Sequence, residues 1–423
     1  MTKEIIMQDW AICLPGTFSR LAPHTAALHA LHNAYKKGDL ASEPSYICTS
    51  SVAAIPANIA LQRSEEKFID TERMLINLKK RQFVSLHPQL KKNAAVDFLS
   101  MSGLLASAYM AGKLSEKNLT LGRIALIALF PAAYKLSEKA IKDIFNAPSF
   151  LVYDNLFNLL MVTLDFDAIF SSPIKIEMPA VNINKTGWTI DEILADPPLY
   201  LHGWKNQGWV SVTNFRPEDV DLPPDVRNEK YINKLINGLR VYGHFAPGRH
   251  ENDDGIIDTA AITNLPVHFA INEGYTNVVI LHYNPTSEGP TDRVFKNWVA
   301  HLNRAIDLNV SGNTRKTIHG YLRINNDLAE LDKQLENLKR LENSLYGPTA
   351  NQEAIRKFIR NQEESYRRLS YINKKRINFI FARSEPLPDA HFSDFTQDQM
   401  IEGINIGWKV GCELVPEINK MIA

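Results

Sequence analysis

The spacing of hydrophobic positions changes several times along the chain, and each change marks an element. Residues 10–14 form a short, unbroken apolar run stopped by Pro15-Gly16, the pattern of a buried strand and a turn. From residue 23 to 37 the spacing becomes helical, with Ala26, Ala27, Leu28, Ala30 and Leu31 on the apolar face. Residues 46–49 make a second short strand, which runs directly into Ser50-Ser51 and an apolar helical stretch over 52–61. Strand, helix, strand, helix within 61 residues predicts an α/β fold with a mainly parallel central sheet.

Residues 64–150 read as mostly helical, with strongly apolar helices at 103–114 and 119–136. Such runs are core or cap packing, or else the wall of a greasy substrate site or a surface that dips into lipid. Further strands are predicted at 174–183, 208–212, 256–258 and 277–281, with a short helix after Asn264-Leu265-Pro266-Val267. A turn is expected at 184–187, and Pro223-Pro224 and the polar stretch 248–255 read as loops. From 324 to 378 the pattern is different again. Leu328, Leu331, Leu335, Leu338 and Leu345 form a stripe, residues 346–349 break it, and Ile355, Phe358, Ile359, Tyr366, Leu369 and Ile372 resume a helical face. This predicts a C-terminal helical hairpin inserted at 316–380, between an α/β domain over 1–315 and a closing helix within 381–423 that packs back on that domain.

Composition narrows the function classes. The chain has 423 residues, 45% of them hydrophobic, and Lys+Arg and Asp+Glu both number 47. A zero net charge gives no global argument for nucleic acid, which is not expected as a partner, so any charge signal must be local. One such signal lies at 351–376, where eight Lys/Arg face three Glu. It reads as a solvated helix face, or as a docking surface for an anionic lipid surface or an acidic protein partner. Cys13, Cys48 and Cys412 are too few and too scattered for a disulfide framework or a metal pattern and read as free thiols, with no metal or cofactor expected. No basic n-region followed by an apolar h-region opens the sequence, and the longest apolar run, 124–134, is about half a membrane span. A cytoplasmic protein, or one exported without an ordinary signal peptide and peripheral to a membrane, fits these features.

Two junctions carry candidate chemistry. Thr49-Ser50-Ser51 lies where a strand meets a helix, which is where a nucleophile elbow exposes a serine. Gly16-Thr17-Phe18-Ser19-Arg20 follows the first strand and precedes a helix, where backbone N–H groups can hold an oxyanion. The segment from Gly16 to Leu31 resembles, without a gap, the patatin oxyanion segment G-G-G-x-R-G-x-x-H-x-G-V-L-x-A-L. It keeps the first glycine, the arginine (Arg20) and the histidine (His24). Cys48-Thr49-Ser50-Ser51-Val52-Ala53 is similar to the family's G-T-S-A-G-A. Asp258-Thr259-Ala260 through Asn264-Leu265-Pro266-Val267 is similar to its D-G-G-x-x-x-N-x-P-V.

The resemblance implies a three-layer patatin-like fold and a Ser–Asp dyad acting on phospholipid or other lipid acyl esters. Ser50 would be the nucleophile and Asp258 the general base, and the N–H groups of Gly16, Thr17 and Phe18 would form the oxyanion hole. It implies neither a cofactor nor a histidine base, which leaves His24 a structural role, and Asp253 and Asp254 fit the loop before Asp258. Thr17, Phe18, Leu21, Cys48, Val52 and Thr259 stand where the family carries glycine. Two further readings of the same site follow: a pseudoenzyme that binds lipid or protein, and an acyltransferase that uses the same dyad.

Overall fold

The computed structural model describes residues 9–16, 18–79, 85–86, 151–185, 209–214, 221–241, 245, 247–250, 253–261, 264–283, 298–343, 350–367, 375–382, 384, 387 and 395–423. The expected helices at 103–114 and 119–136 lie outside these residues, as do Thr17 and the break at 346–349.

The chain is an α/β protein built on a mixed, mainly parallel sheet. Strands β1 (Ala11–Leu14) and β2 (Tyr46–Thr49) are parallel neighbours, joined through α1 (Leu21–Lys37). Gly38 ends α1 at φ 81°, a left-handed cap whose N–H returns to the Ala34 and Tyr35 carbonyls. Strand β5 (Lys175–Asn182) lies parallel to β2, and β9 (Asn277–Ile280) parallel to β1. Three short strands complete one side of the sheet antiparallel. Both β6 (Trp209–Val212) and β8 (Asp253–Asp258) pair with β5, and β7 (Gly248–His250) pairs with β8. A separate two-stranded ribbon joins β3 (Ser85–Leu86) to β4 (Leu151–Val152).

Alternation along the strands supplies two cores. Ile12, Leu14 and Ile47 face one side, where α1, α2 (Ala54–Leu61), α3 (Glu65–Asn77), α4 (Asp154–Thr163) and a short α5 (Phe166–Phe170) contribute Leu28, Ile59, Phe68, Leu156 and Ile169. Ala11, Cys13, Tyr46 and Cys48 face the other side. There α7 (Val267–Asn272) supplies Val267 and Ala270, and the long α8 (Trp298–Asn343) lays Ile318 and Tyr321 against the cluster.

Four expectations differ from what is found. The polar stretch 248–255 is not a loop but holds β7 and the start of β8, paired through a bulge at the sheet's antiparallel end; backbone pairing at an edge does not require apolar side chains. Pro224 opens a helix, α6 (Pro224–Asn237), because a proline at the first helical position loses no hydrogen bond. The first long C-terminal helix begins at Trp298, well before residue 324, and is followed by α9 (Ala350–Arg367). Residues at the end of the expected hairpin instead form β10 (Asn378–Phe381), which adds a parallel edge strand to β9.

The closing helix α10 (Gln397–Ile422) starts at a capping box, Thr396 with Gln399, and packs along α1. Its Gly403, Gly407 and Gly411 recur every four residues on one face. A Cβ on Gly407 would overlap the Pro23 carbonyl and stand 2.7 Å from Pro23 Cα and 2.9 Å from Ala26 Cβ. The two helices are therefore in backbone contact. Gly407→Ala is expected to lower stability in urea unfolding by about 1–3 kcal/mol, the usual overpacking cost, although alanine has the better helix propensity by about 1 kcal/mol. Gly320→Ala in α8, where a Cβ would meet nothing within 4 Å, is expected to raise stability by roughly 0.5–1 kcal/mol. Shifts of the same sign would contradict the close packing.

Candidate active site

The loop after β1 and the turn after β2 are pressed together. Ser50 N–H donates to the Leu14 carbonyl at 3.0 Å, which ties the two strand ends. Gly16 lies directly on the turn: a Cβ there would overlap the Ser50 carbonyl and stand 2.5 Å from Ser51 Cβ. Arg20, fully buried at the end of a one-turn 3-10 helix (Phe18–Arg20), donates to the Gly16 carbonyl at 3.3 Å and to the Tyr283 carbonyl at 3.2 and 2.9 Å. A buried guanidinium needs acceptors. Here the acceptors are main-chain groups, so the side chain staples the loop to the segment just beyond β9. Of the expected oxyanion residues, Gly16 meets the serine turn. Phe18 is buried, with its ring 5.0 Å from that of Phe395 before α10. Thr17 lies outside the described residues.

The two serines occupy different environments. Ser50 continues the extended backbone of β2, at φ −126° and ψ 140°, and is fully buried. Its hydroxyl is 2.6 Å from that of Thr259. Ser51 follows at φ 53°, one of two non-glycine residues with positive φ among those described, and it is half-buried. A left-handed serine at a strand-to-helix junction is the strained apex of the turn. It opens a 3-10 turn (Ser51–Ala53) that leads into α2. The apex is therefore Ser51, one residue later than expected. The residues two positions either side of it are Thr49 and Ala53, both fully buried. Ala53 is smaller than Val52, but Thr49 is larger than Cys48 and β-branched, so the size of the flanking residues does not choose between the two serines.

Asp258 ends β8 opposite Ala180 of β5, with its N–H on the Arg240 carbonyl at 3.0 Å. It is fully buried. Oδ1 accepts from the Ala260 N–H at 2.8 Å, while Oδ2 closes no hydrogen bond among the described residues. Burial pushes its pKa up to about 6, and the Ala260 N–H and the Ser51 and Thr259 hydroxyls oppose that rise. The Ser51 and Thr259 hydroxyls thus act on the Asp258 charge, and Thr259 is hydrogen-bonded to Ser50. Asp253 and Asp254 sit at the far end of the same strand, paired with β7.

His24 is not among these groups. It is fully buried, its Nε2–H donates to the Leu281 carbonyl at 3.0 Å, and burial holds it neutral with a pKa near 3. Asn264 is fully buried, and neither amide atom of its side chain has a hydrogen-bond partner among the described residues; nothing in the structure explains this. Among the described residues no cluster of three His, Cys, Asp or Glu could hold a metal ion, and no helix is long and apolar enough to cross a membrane. No protein-family model matches the chain, and no curated protein matches it.

A carboxyl whose folded pKa exceeds its unfolded value stabilises the fold below the unfolded pKa, and this contribution is lost as pH rises through the folded one. For Asp258 that window runs from 3.8 to about 6. Asp258→Asn is therefore expected to gain stability relative to the parent chain between pH 4 and pH 8, by on the order of 2–3 kcal/mol in urea unfolding. A difference that does not vary with pH would show that Asp258 ionises as freely as in the unfolded chain.

Proposed function

We propose that the chain is a serine acyl hydrolase of the patatin-like type, acting on phospholipid or other lipid acyl esters through a Ser51–Asp258 dyad. The observation that carries the reading is the pairing of a left-handed, half-buried serine at the strand-to-helix apex with a buried aspartate whose pKa is raised to about 6. A base must be mostly ionised at working pH yet basic enough to take a proton, and a carboxyl near 6 meets both needs. The three ordered motif resemblances add support, with the serine block read one residue later: Thr49-Ser50-Ser51-Val52-Ala53-Ala54 against G-T-S-A-G-A.

In this reading Asp258 takes the proton from Ser51 Oγ as that oxygen bonds to the ester carbonyl carbon. The tetrahedral intermediate collapses with loss of the alcohol, which takes the proton from Asp258, and leaves acyl-Ser51. Water, deprotonated by the same carboxylate, then releases the acid and restores the serine. The N–H groups of residues 16–18 would hold the oxyanion, since Gly16 is the main-chain group packed on the Ser51 turn. Transfer of the acyl group to another alcohol uses the same intermediate. The exposed basic positions of α9, Lys357 and Arg360, beside exposed Ile355 and Phe358, suit a surface that meets an anionic membrane or an acidic partner.

A binding module that has lost turnover is the second reading. The observation that favours it is Asp258 Oδ2, which closes no hydrogen bond to either serine.

Hydrolysis of a short-chain p-nitrophenyl ester and of phosphatidylcholine vesicles separates the two. The hydrolase reading expects turnover that rises with pH through an apparent pKa of about 6, and losses of about 10³-fold or more in Ser51→Ala and Asp258→Asn. No turnover by the parent chain on either substrate, or full turnover by Ser51→Ala, would refute it.

A further inference from the structure

A small cavity lies among the helices that follow the site's two loops. About 10 Å³ in volume, it is walled by Leu21 of α1, Ile55 and Ile59 of α2, Met74 of α3, and Leu159 and Leu160 of α4. Two of these walls start at the site. Leu21 follows Arg20, whose guanidinium holds the Gly16 carbonyl, and Ile55 is four residues beyond Ser51. Ile59 continues the same face of α2 one turn further, about 12 Å along the helix from Ser51. The cavity therefore runs down α2 from the end at which Ser51 sits.

The walls are dry. Among the described residues the side-chain hydroxyls that line the cavity belong to Thr71 and Thr163, and both are committed to their own helices. Thr71 Oγ1 donates to the Lys67 carbonyl at 2.7 Å, and Thr163 Oγ1 to the Leu159 carbonyl at 2.7 Å. A buried water needs two or more polar partners, and these walls supply none. The walls are also uneven in depth. Leu21, Ile55, Ile59 and Leu160 are buried, whereas Met74 and Leu159 are half-buried. The space has room for about one water-sized sphere, so a larger guest enters by displacing the outer wall. An unbranched methionine with three rotatable bonds suits that displacement.

We infer that this cavity is the inner end of a groove for the acyl chain of the ester. The chain passes Leu21 and Ile55 when its carbonyl meets Ser51, and it lies against Ile59 and Leu160 with Met74 and Leu159 moved outward. The inference rests on the Ser51–Asp258 reading for its catalytic meaning, but the affinity of the groove for a fatty acid does not. A wall with no free polar group recognises methylenes by burying them, so it selects for chain length. A polar acyl group would leave its hydrogen bonds unmade there.

The test pairs binding of cis-parinaric acid, a long-chain fatty acid whose fluorescence rises on leaving water, with hydrolysis of p-nitrophenyl palmitate and p-nitrophenyl butyrate. Met74→Trp puts a ring into the space from its outer wall. It is expected to weaken parinaric acid binding about tenfold, the effect of keeping roughly two methylenes in water. The palmitate-to-butyrate ratio of kcat/KM should fall by a similar factor. If that variant does not fold, Leu159→Trp on the same outer wall decides. No binding by the parent chain, or binding unmoved in the variant, overturns the inference and leaves the cavity a packing gap. Binding that falls in the variant, with neither ester hydrolysed by the parent chain, leaves the groove standing and removes the hydrolase reading. Hydrolysis of both esters with an unmoved ratio overturns the groove and leaves the hydrolase reading.

Discussion

The absence of a side chain at Gly16 is the constraint on which the site depends. Any Cβ there would collide with the Ser50 carbonyl and Ser51, so only glycine lets the loop after β1 lie on the turn after β2. Once the two backbones touch, other features follow. The Ser50 N–H reaches the Leu14 carbonyl, and Ser51 is left to make the turn at positive φ. The Gly16 carbonyl becomes an acceptor for Arg20. Strain of this kind, on the order of 1–2 kcal/mol at a left-handed serine, persists only where surrounding contacts fix the backbone, and here they fix it from both sides.

Those contacts belong to a larger frame. Arg20 and His24 sit on the 3-10 turn and first turns of α1, and both donate to carbonyls just beyond β9. The same turns of α1 are held from outside by α10, whose glycines bring its backbone onto Pro23 and Ala27. A helix from the far end of the sequence thereby supports the loop at its beginning. Buried charge follows the same economy. Arg20 is satisfied by main-chain carbonyls and His24 is kept neutral, so of these three buried groups Asp258 is the one whose pKa is brought to about 6.

Much of the fold was legible in the sequence because local pattern and final environment agree. The apolar runs at 10–14 and 46–49 become parallel strands with their residues split between two cores, and 277–281 becomes their neighbour. What was not legible depends on partners distant in sequence. Strand β10 takes its form from the open edge of β9, and β7 from that of β8. At the site, the two junctions and Asp258 were visible in the sequence, but the choice between adjacent serines was not. It turns on which residue takes the left-handed backbone, in a turn packed against Gly16 of the loop after β1. Thr259 was visible only as a departure from the resembled glycine; its hydroxyl contact with Ser50 spans 209 residues.

The central claim is that Ser51, and not Ser50, is the activated hydroxyl. Its most direct test is to treat the full chain with a fluorophosphonate and map the adduct by peptide mass spectrometry, with fragmentation that separates the two serines. The account predicts a single phosphonylated residue at Ser51, formed faster as pH rises through about 6, and its absence in Asp258→Asn. An adduct on Ser50, or none on either serine, would contradict it.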